Sequence, residues 1–440
     1  MAEKSSLKST IAVSLNNYLD AGAIVAGSAG LAYWKDYLNL TDLHLGWINA
    51  LSANACGAAI GAIIGGFLAD KYGRKFIFTY NLLIYMVGVL LVMFSVNFPM
   101  LLAGFLVTGI SVGVGVPASW TYISESSEVN NRGRNICISQ MSWGIGPMFI
   151  LLFGTLFAPG GLLFGVVESV ASLCGTDMAD AATVNSFSSR VVFFTLFVVA
   201  LVAWNLQRQL EESSTFESNK EKSGIVDNIK LVFTNKVAVK TVVFLAVIYL
   251  TWNLVASIMG MFMPYIYKTA GGVSDELSNL LSCASWVFVV ITTFIISFFV
   301  DKVAHRFFYV FGLAAALSAA LLVIGGGISS IAGIWLFTIL WGINNGSSVQ
   351  VFYALWGSEL FPAKFRAGAQ GFMFFVVRAA SALGGLAFTA VYDGGKGFTL
   401  AAYIMLGLLL CSLIVGLIGM PNTRGKSLEQ ITKERYGEDY

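Results

Sequence analysis

Twelve stretches of about 20 mostly apolar residues recur along this chain, and no other feature restricts its fold as strongly. A segment of that length can cross roughly 30 Å of hydrocarbon, but only if it satisfies each backbone N–H and C=O within itself, which the α-helix does. The stretches are 11–34, 45–69, 76–97, 100–123, 136–158, 189–207, 239–265, 277–300, 307–328, 331–357, 368–391 and 398–420. Charged residues make up only 11% of the chain, against roughly 25% in soluble domains. The first stretch carries an acid and lacks a small-residue cleavage site, so it reads as a span rather than a removed signal peptide.

An even number of spans puts both termini on one side, and Lys and Arg tell which side that is. Twenty-one of them fall on the side of the termini: Lys4, Lys8, Lys71, Arg74, Lys75, Arg132, Arg134, Arg208, Lys220, Lys222, Lys230, Lys236, Lys240, Lys302, Arg306, Lys364, Arg366, Arg424, Lys426, Lys433 and Arg435. The opposite loops hold only Lys35, Lys268 and Lys396, and Arg190 and Arg378 fall at or within spans. Both ends are therefore expected in the cytoplasm. A net charge of +2 gives no sign of nucleic-acid binding. Cys56, Cys137, Cys174, Cys283 and Cys411 are scattered, which points to neither a disulfide framework nor a metal site. His44 and His305 lie at span ends and read as interfacial residues, with a proton-relay role open for His44.

A hydrophilic segment, 207–236, separates two six-span halves, 1–206 and 237–440. The halves repeat each other. Asp70-Lys-Tyr-Gly-Arg-Lys75 is echoed 231 residues later by Asp301-Lys-Val-Ala-His-Arg306. Glu125 and Arg132 are echoed 234 residues later by Glu359 and Arg366. Parallel six-span repeats with a solute site near the midplane are the arrangement of the major facilitator superfamily.

The motifs resemble that superfamily in detail. Asp70 to Lys75, with Gly73 and Arg74, resembles its loop signature between the second and third spans. Tyr122-Ile-Ser-Glu125 with Arg132-Gly133, Arg190, Ser358-Glu359-Leu-Phe-Pro362 with Arg366, and Pro421-Asn-Thr-Arg-Gly-Lys-Ser-Leu-Glu-Gln-Ile431 resemble sugar-porter patterns. The resemblance implies an all-α integral membrane fold with twelve transmembrane helices in two pseudo-symmetric six-helix bundles. It also reaches toward the metabolite–proton symporter and organic-anion branches. On the residues alone, an acid at a span end and an Arg a short loop away can pair and hold the halves closed on that side. Asp70, Gly73, Arg74, Glu125, Arg132, Asp301, Arg306, Glu359 and Arg366 are the expected gate; snorkelling anchors are the other reading of their charges.

Ionisable groups inside spans are costly and face an interior or a wet cavity. Asp20, in Asn16-Asn17-Tyr18-Leu19-Asp20, sits among apolar residues, where desolvation makes its charge expensive and proton uptake possible. Proton-coupled sugar porters carry an acid at the matching position; a fixed ion pair or helix cap is the alternative. Adding the repeat offset to Asp20 lands near Trp252 and Asn253. Arg378 stands where sugar porters usually have a cavity Trp, and organic-anion carriers resemble this chain in placing an Arg there. A guanidinium fork suits a carboxylate or phosphate, although Arg378 can instead pair with Asp20. Asn17, Gln140, Trp143, Asn344, Asn345 and Gln350 are further candidates to line a cavity. In place of the sugar-porter double Gln stand Thr251-Trp252, and Phe105 takes the place of a span-four Arg.

Apolar residues 161–174, interrupted by Glu168, are too short for a span and are expected on the membrane surface. Glycines 57, 61, 65 and 66 in span two and 109, 113 and 115 in span four are spaced for close helix approach. No Gly-x4-Gly-Lys-Ser/Thr occurs, which removes an in-chain ATPase motor, and no His, acid or Cys cluster points to an enzyme. The expectation is a monomeric secondary transporter of a bacterial inner membrane, with no cofactor and the proton gradient as its energy source. Its partners would be lipid, protons and a small hydrophilic solute, first an organic anion such as a sugar acid, alternatively a neutral sugar or polyol. A transporter-like membrane sensor is the reading from another class, although the segment after the last span, 421–440, is short for a regulatory tail.

Overall fold

The computed structural model describes residues 2–51, 55–218, 225–269, 271–392 and 397–437. Lys220, Lys222 and Lys396, counted in the charge separation, lie outside the described residues. Among the described residues all regular structure is helical. The first six spans begin with α1 (Ala2–Leu38), the pair α2 (Asp42–Leu51) and α3 (Cys56–Tyr72), and α4 (Arg74–Met93). They continue with α5 (Phe98–Ser126), α6 (Arg132–Leu156), the short α7 (Phe164–Leu173) and α8 (Ala181–Gln207). Two short helices follow between the halves, α9 (Ser214–Ser218) and α10 (Ile225–Thr234). The second six are α11 (Lys236–Thr269), α12 (Asp275–Ser297), α13 (His305–Ile324), the pair α14 (Ile331–Ser347) and α15 (Val349–Glu359), α16 (Arg366–Tyr392) and α17 (Gly397–Gly419). A final helix, α18 (Leu428–Tyr436), carries the motif expected after the last span.

Polar residues start the helices where the chain leaves the apolar zone. The side chains of Asn97, Asp180, Ser274 and Ser330 each accept a first-turn N–H, and Ser427 with Gln430 forms a reciprocal capping box. Within the spans, large apolar residues such as Ile60, Ile64, Val87, Ile291, Phe294 and Ile295 stay exposed on the outer faces, where lipid replaces water. Eight described helices are each long and apolar enough to cross a membrane. The remaining spans include the divided α2–α3 and α14–α15.

The α14–α15 division departs from the unbroken tenth span expected from hydropathy. At Ser348 the backbone leaves helical geometry (φ −110°, ψ −131°). Ser347 and Ser348 turn their hydroxyls onto the carbonyls of Ile343 and Asn344, the local competition by which serines loosen a helix. The run at 161–174 forms α7, which packs Val167 and Ala171 against Phe187 of α8.

α1 packs on α6 and α8, and α5 packs on α3 and α4. In the second set α11 packs on α16 and α17, and α14 on α12 and α13. The sets meet along α3 with α16, α6 with α12, and α15 with α5 and α6. Gly61 and Gly113 let α3 and α5 touch, since a Cβ at either would run into the backbone of the facing helix. The first part of α1 and the final helix α18 lie at one end of the bundle. Gln207, closing α8, donates to the Ala12 carbonyl at 2.8 Å, and Arg435 of α18 donates to Thr241 near the start of α11 at 2.7 Å. This end is called the terminal face below.

Candidate functional site

Asp20 and Arg378, the two charges predicted at mid-span, are brought together. Asp20 on α1 is 1% exposed and Arg378 on α16 is 3% exposed. Asp20 Oδ2 accepts from Arg378 Nη2 at 3.3 Å and from Trp143 Nε1 of α6 at 2.9 Å. Asp20 Oδ1 has no hydrogen-bond partner. The guanidinium also lies over the Phe374 ring, 4.7 Å from its centre. Of the two alternatives open for Arg378, the structure therefore contains the internal pair.

Neutral polar groups surround the pair. Gln350 of α15 donates to Gln140 of α6 at 3.1 Å, joining the two sets of helices, while Gln140 Nε2 has no partner. Asn17 donates to Ser139 Oγ at 2.8 Å and keeps an unpartnered Oδ1. Asn253 accepts from Ser381 at 2.8 Å and from Ser257 at 3.1 Å. Asn344 accepts from Trp252 Nε1 at 3.2 Å and from Ser348 at 2.8 Å, so its carbonyl is held within the second set. Asn345 is half-buried, and no hydrogen bond joins it to this group.

Aromatic rings pack beside this region, and of these only Trp143 was expected from the sequence. Tyr249 and Tyr353 stack at 3.8 Å, Trp120 meets Tyr353 edge-on at 5.9 Å and Phe374 at 6.0 Å, and Trp143 tilts against Trp286 at 5.6 Å. The others carried no distinguishing signal in a chain with 34 Phe, 16 Tyr and 10 Trp.

At the terminal face the repeated acids and arginines pair both across a short loop, Asp70 with Arg74 at 3.6 Å as expected, and across the halves. Glu125 accepts from Arg366 at 2.7 Å and from Arg74 at 2.9 Å. Glu359 accepts from Arg132 at 3.0 Å. Asp70 accepts the N–H groups of Ala367 (3.1 Å) and Gly368 (2.6 Å), which places its charge at the start of α16. Its repeat partner Asp301 accepts those of Gly133 and Arg134, both at 2.8 Å, at the start of α6. Burial holds the Asp301 carboxyl above its ordinary pKa, although the two N–H groups pull the other way. Opposed helix starts and crossed ion pairs thus close this end with approximate two-fold symmetry. The backbones of α3 and α16 touch here too, since a Cβ at Gly66 or Gly371 would strike the facing carbonyl.

Arg306 does not join the gate predicted for it, because it is exposed. In the repeat the position of Arg74 falls on His305, which opens α13, is buried and accepts from Trp356 Nε1 at 3.3 Å. His44, partly buried, stacks on Phe98 at 4.2 Å.

Glu212, in the segment between the halves, also went unrecognised in the sequence. Its two carboxylate oxygens accept the N–H groups of Arg74 and Lys75, each at 3.0 Å, and so cap α4. Phe216 lies against the Arg74 guanidinium, 5.1 Å from ring centre to carbon. Gly73 turns the chain at φ +97°, a conformation that favours glycine, and a Cβ there would meet Glu212. Among the described residues no group of three or more His, Cys, Asp or Glu is placed to hold a metal.

The Major Facilitator Superfamily model matches residues 11–385. The chain belongs to that superfamily. As a superfamily member it is a multi-pass membrane transporter of the secondary type, not an enzyme, and it needs no cofactor. The minor myo-inositol transporter IolF of Bacillus subtilis (strain 168) is 40% identical over 439 residues, 98% of this chain and 94% of that one. The arabinose-proton symporter of Escherichia coli (strain K12) is 25% identical over 310 residues, covering 66% of this chain and 61% of its own. Among solved structures the proton:xylose symporter XylE, bound to 6-bromo-6-deoxy-D-glucose, superposes with a TM-score of 0.79 at 16% identity. That match covers 99% of this chain and 100% of XylE, and it bears on the fold alone.

Proposed function

We propose that this major facilitator carries a small neutral polyhydroxylated solute, a cyclic polyol or sugar, in symport with a proton. The observation that carries the reading is the Asp20–Arg378 pair. A guanidinium that already has its counter-charge in the chain is a poor receptor for an anionic solute, which would have to displace Asp20. The organic-anion reading loses its main support on this ground. Around the pair, the unpartnered Gln140 Nε2, Asn17 Oδ1 and Asn344 Nδ2 offer neutral donors and acceptors of the kind that hydroxyl groups satisfy. The myo-inositol named for IolF supports the same class.

Asp20 is the proton site in this reading. Protonation removes the charge that holds Arg378, so α1 and α16 are released from each other at the centre. α16 also begins at the terminal face, where Asp70 and Glu125 hold its first turn. One helix therefore connects the proton site with the closed end. Residues 1–206 and 237–440 are the two rocking bodies, with 207–236 between them. The excess of Lys and Arg puts the terminal face in the cytoplasm, and the protein acts as a monomer in a bacterial inner membrane.

Counterflow in proteoliposomes tests the solute class. Preloaded myo-inositol, D-xylose or another neutral polyol should drive uptake of the labelled compound, and sugar acids should compete weakly. Counterflow driven by sugar acids alone would overturn the reading.

A further inference from the structure

We propose a second binding site for the same solute, between the central pair and the terminal-face gate, built from Gln370, Tyr353 and Trp120. The inference rests on the neutral-polyol reading. α16 presents Arg366, Gln370, Phe374 and Arg378 at successive four-residue steps, which puts them on one face. At about 1.5 Å per residue the gate arginine and the central arginine stand roughly 18 Å apart along that face. Gln370 lies one turn in from the gate.

Gln370 is 1% exposed, and neither its Oε1 nor its Nε2 has a hydrogen-bond partner. It faces Gly357 of α15, where a Cβ would stand 3.5 Å from its side chain. One turn back on α15 the Tyr353 hydroxyl also lacks a partner, and so does Trp120 Nε1 on α5. The rings join these groups: Trp120 meets both Tyr353 and Phe374 edge-on. An amide and, one turn further in, a phenol and an indole N–H, each buried and unbonded, thus lie on successive levels between the gate and the central pair. Such groups carry their full desolvation cost in the closed state, with no bond to offset it.

Opening of the terminal face must part α5 from α15 and α16, because the crossed ion pairs join the two sets of helices. Trp120 then leaves Tyr353 and Phe374, and the three polar groups come to line a wet passage. There they can bond hydroxyls while the ring faces take the C–H face of a cyclic polyol. The site is reached from the cytoplasm, so it governs binding from that side and not from outside.

Gln370→Met and Tyr353→Phe, singly and together, remove the polar atoms while nearly conserving volume. The test is labelled myo-inositol exchange in right-side-out and inside-out vesicles, with thermal unfolding as a check on folding. The double variant should show a cytoplasmic-side KM at least fivefold higher, an outside KM within twofold of wild type, and an unfolding midpoint no lower. Unchanged KM on the cytoplasmic side would overturn the site. An equal rise on both sides would overturn it too, by assigning the residues to the central site. Wild type that exchanges no neutral polyol at either face would instead refute the solute class, and this inference would fall with it.

Discussion

Glu125 pairs with Arg366, 241 residues away, and not with Arg132, its neighbour in the sequence. The exchange of partners matters mechanically. A pair within one loop holds nothing between the halves, whereas Glu125–Arg366 and Arg132–Glu359 must both break before the terminal face can open.

Glu125→Gln leaves Arg74 and Arg366 buried without their shared carboxylate, a loss on the order of 3–5 kcal/mol for a buried pair. That cost falls on the closed state, so the open population should rise. Spin labels at the exposed Lys71 and Lys364 measure it by pulsed dipolar spectroscopy. The variant should populate longer distances, and an unchanged distribution would refute gating by this residue.

Arg378→Leu strands the buried Asp20 carboxylate, again at about 3–5 kcal/mol, while Asp20→Asn with Arg378→Leu removes both charges. The double variant should therefore be more stable than Arg378→Leu alone. Thermal unfolding in lipid nanodiscs decides it, and strictly additive losses would mean that the pair is not coupled.

Glu212→Ala uncaps α4. Loss of a helix cap costs about 1 kcal/mol, so amide exchange at Arg74 and Lys75 should speed up several-fold. Exchange at wild-type rates would show that those two N–H groups do not depend on Glu212.

Asp301 gives a pH dependence of definite sign. Its carboxyl titrates higher in the folded protein than in the unfolded chain, so its contribution to stability is fully present below the unfolded value. That contribution fades as pH rises through the folded value. The unfolding midpoint of wild type, taken relative to Asp301→Asn, should therefore fall from acidic toward neutral pH. A difference that grows with pH would contradict the assignment.

Hydropathy and the Lys/Arg distribution made the spans legible, because backbone satisfaction in lipid leaves so few alternatives. Asp20 and Arg378 stood out for the related reason that mid-span charges are costly. Their pairing was one of two open readings, since contact between residues 358 apart is a tertiary fact. Arg306 misled because the repeat is imperfect: the position of Arg74 holds His305, which packs under Trp356. Trp120, Tyr353 and Gln370 were illegible because a cavity aromatic or amide has the same composition as a packing one. Glu212 was hidden because capping the start of α4 depends on how the segment between the halves folds back.

Proton-driven accumulation of myo-inositol in proteoliposomes tests the central claim most directly. Wild type should concentrate it only under an imposed proton gradient, and Asp20→Asn should exchange it across the membrane without concentrating it. Accumulation by Asp20→Asn at the wild-type level would contradict coupling through the Asp20–Arg378 pair.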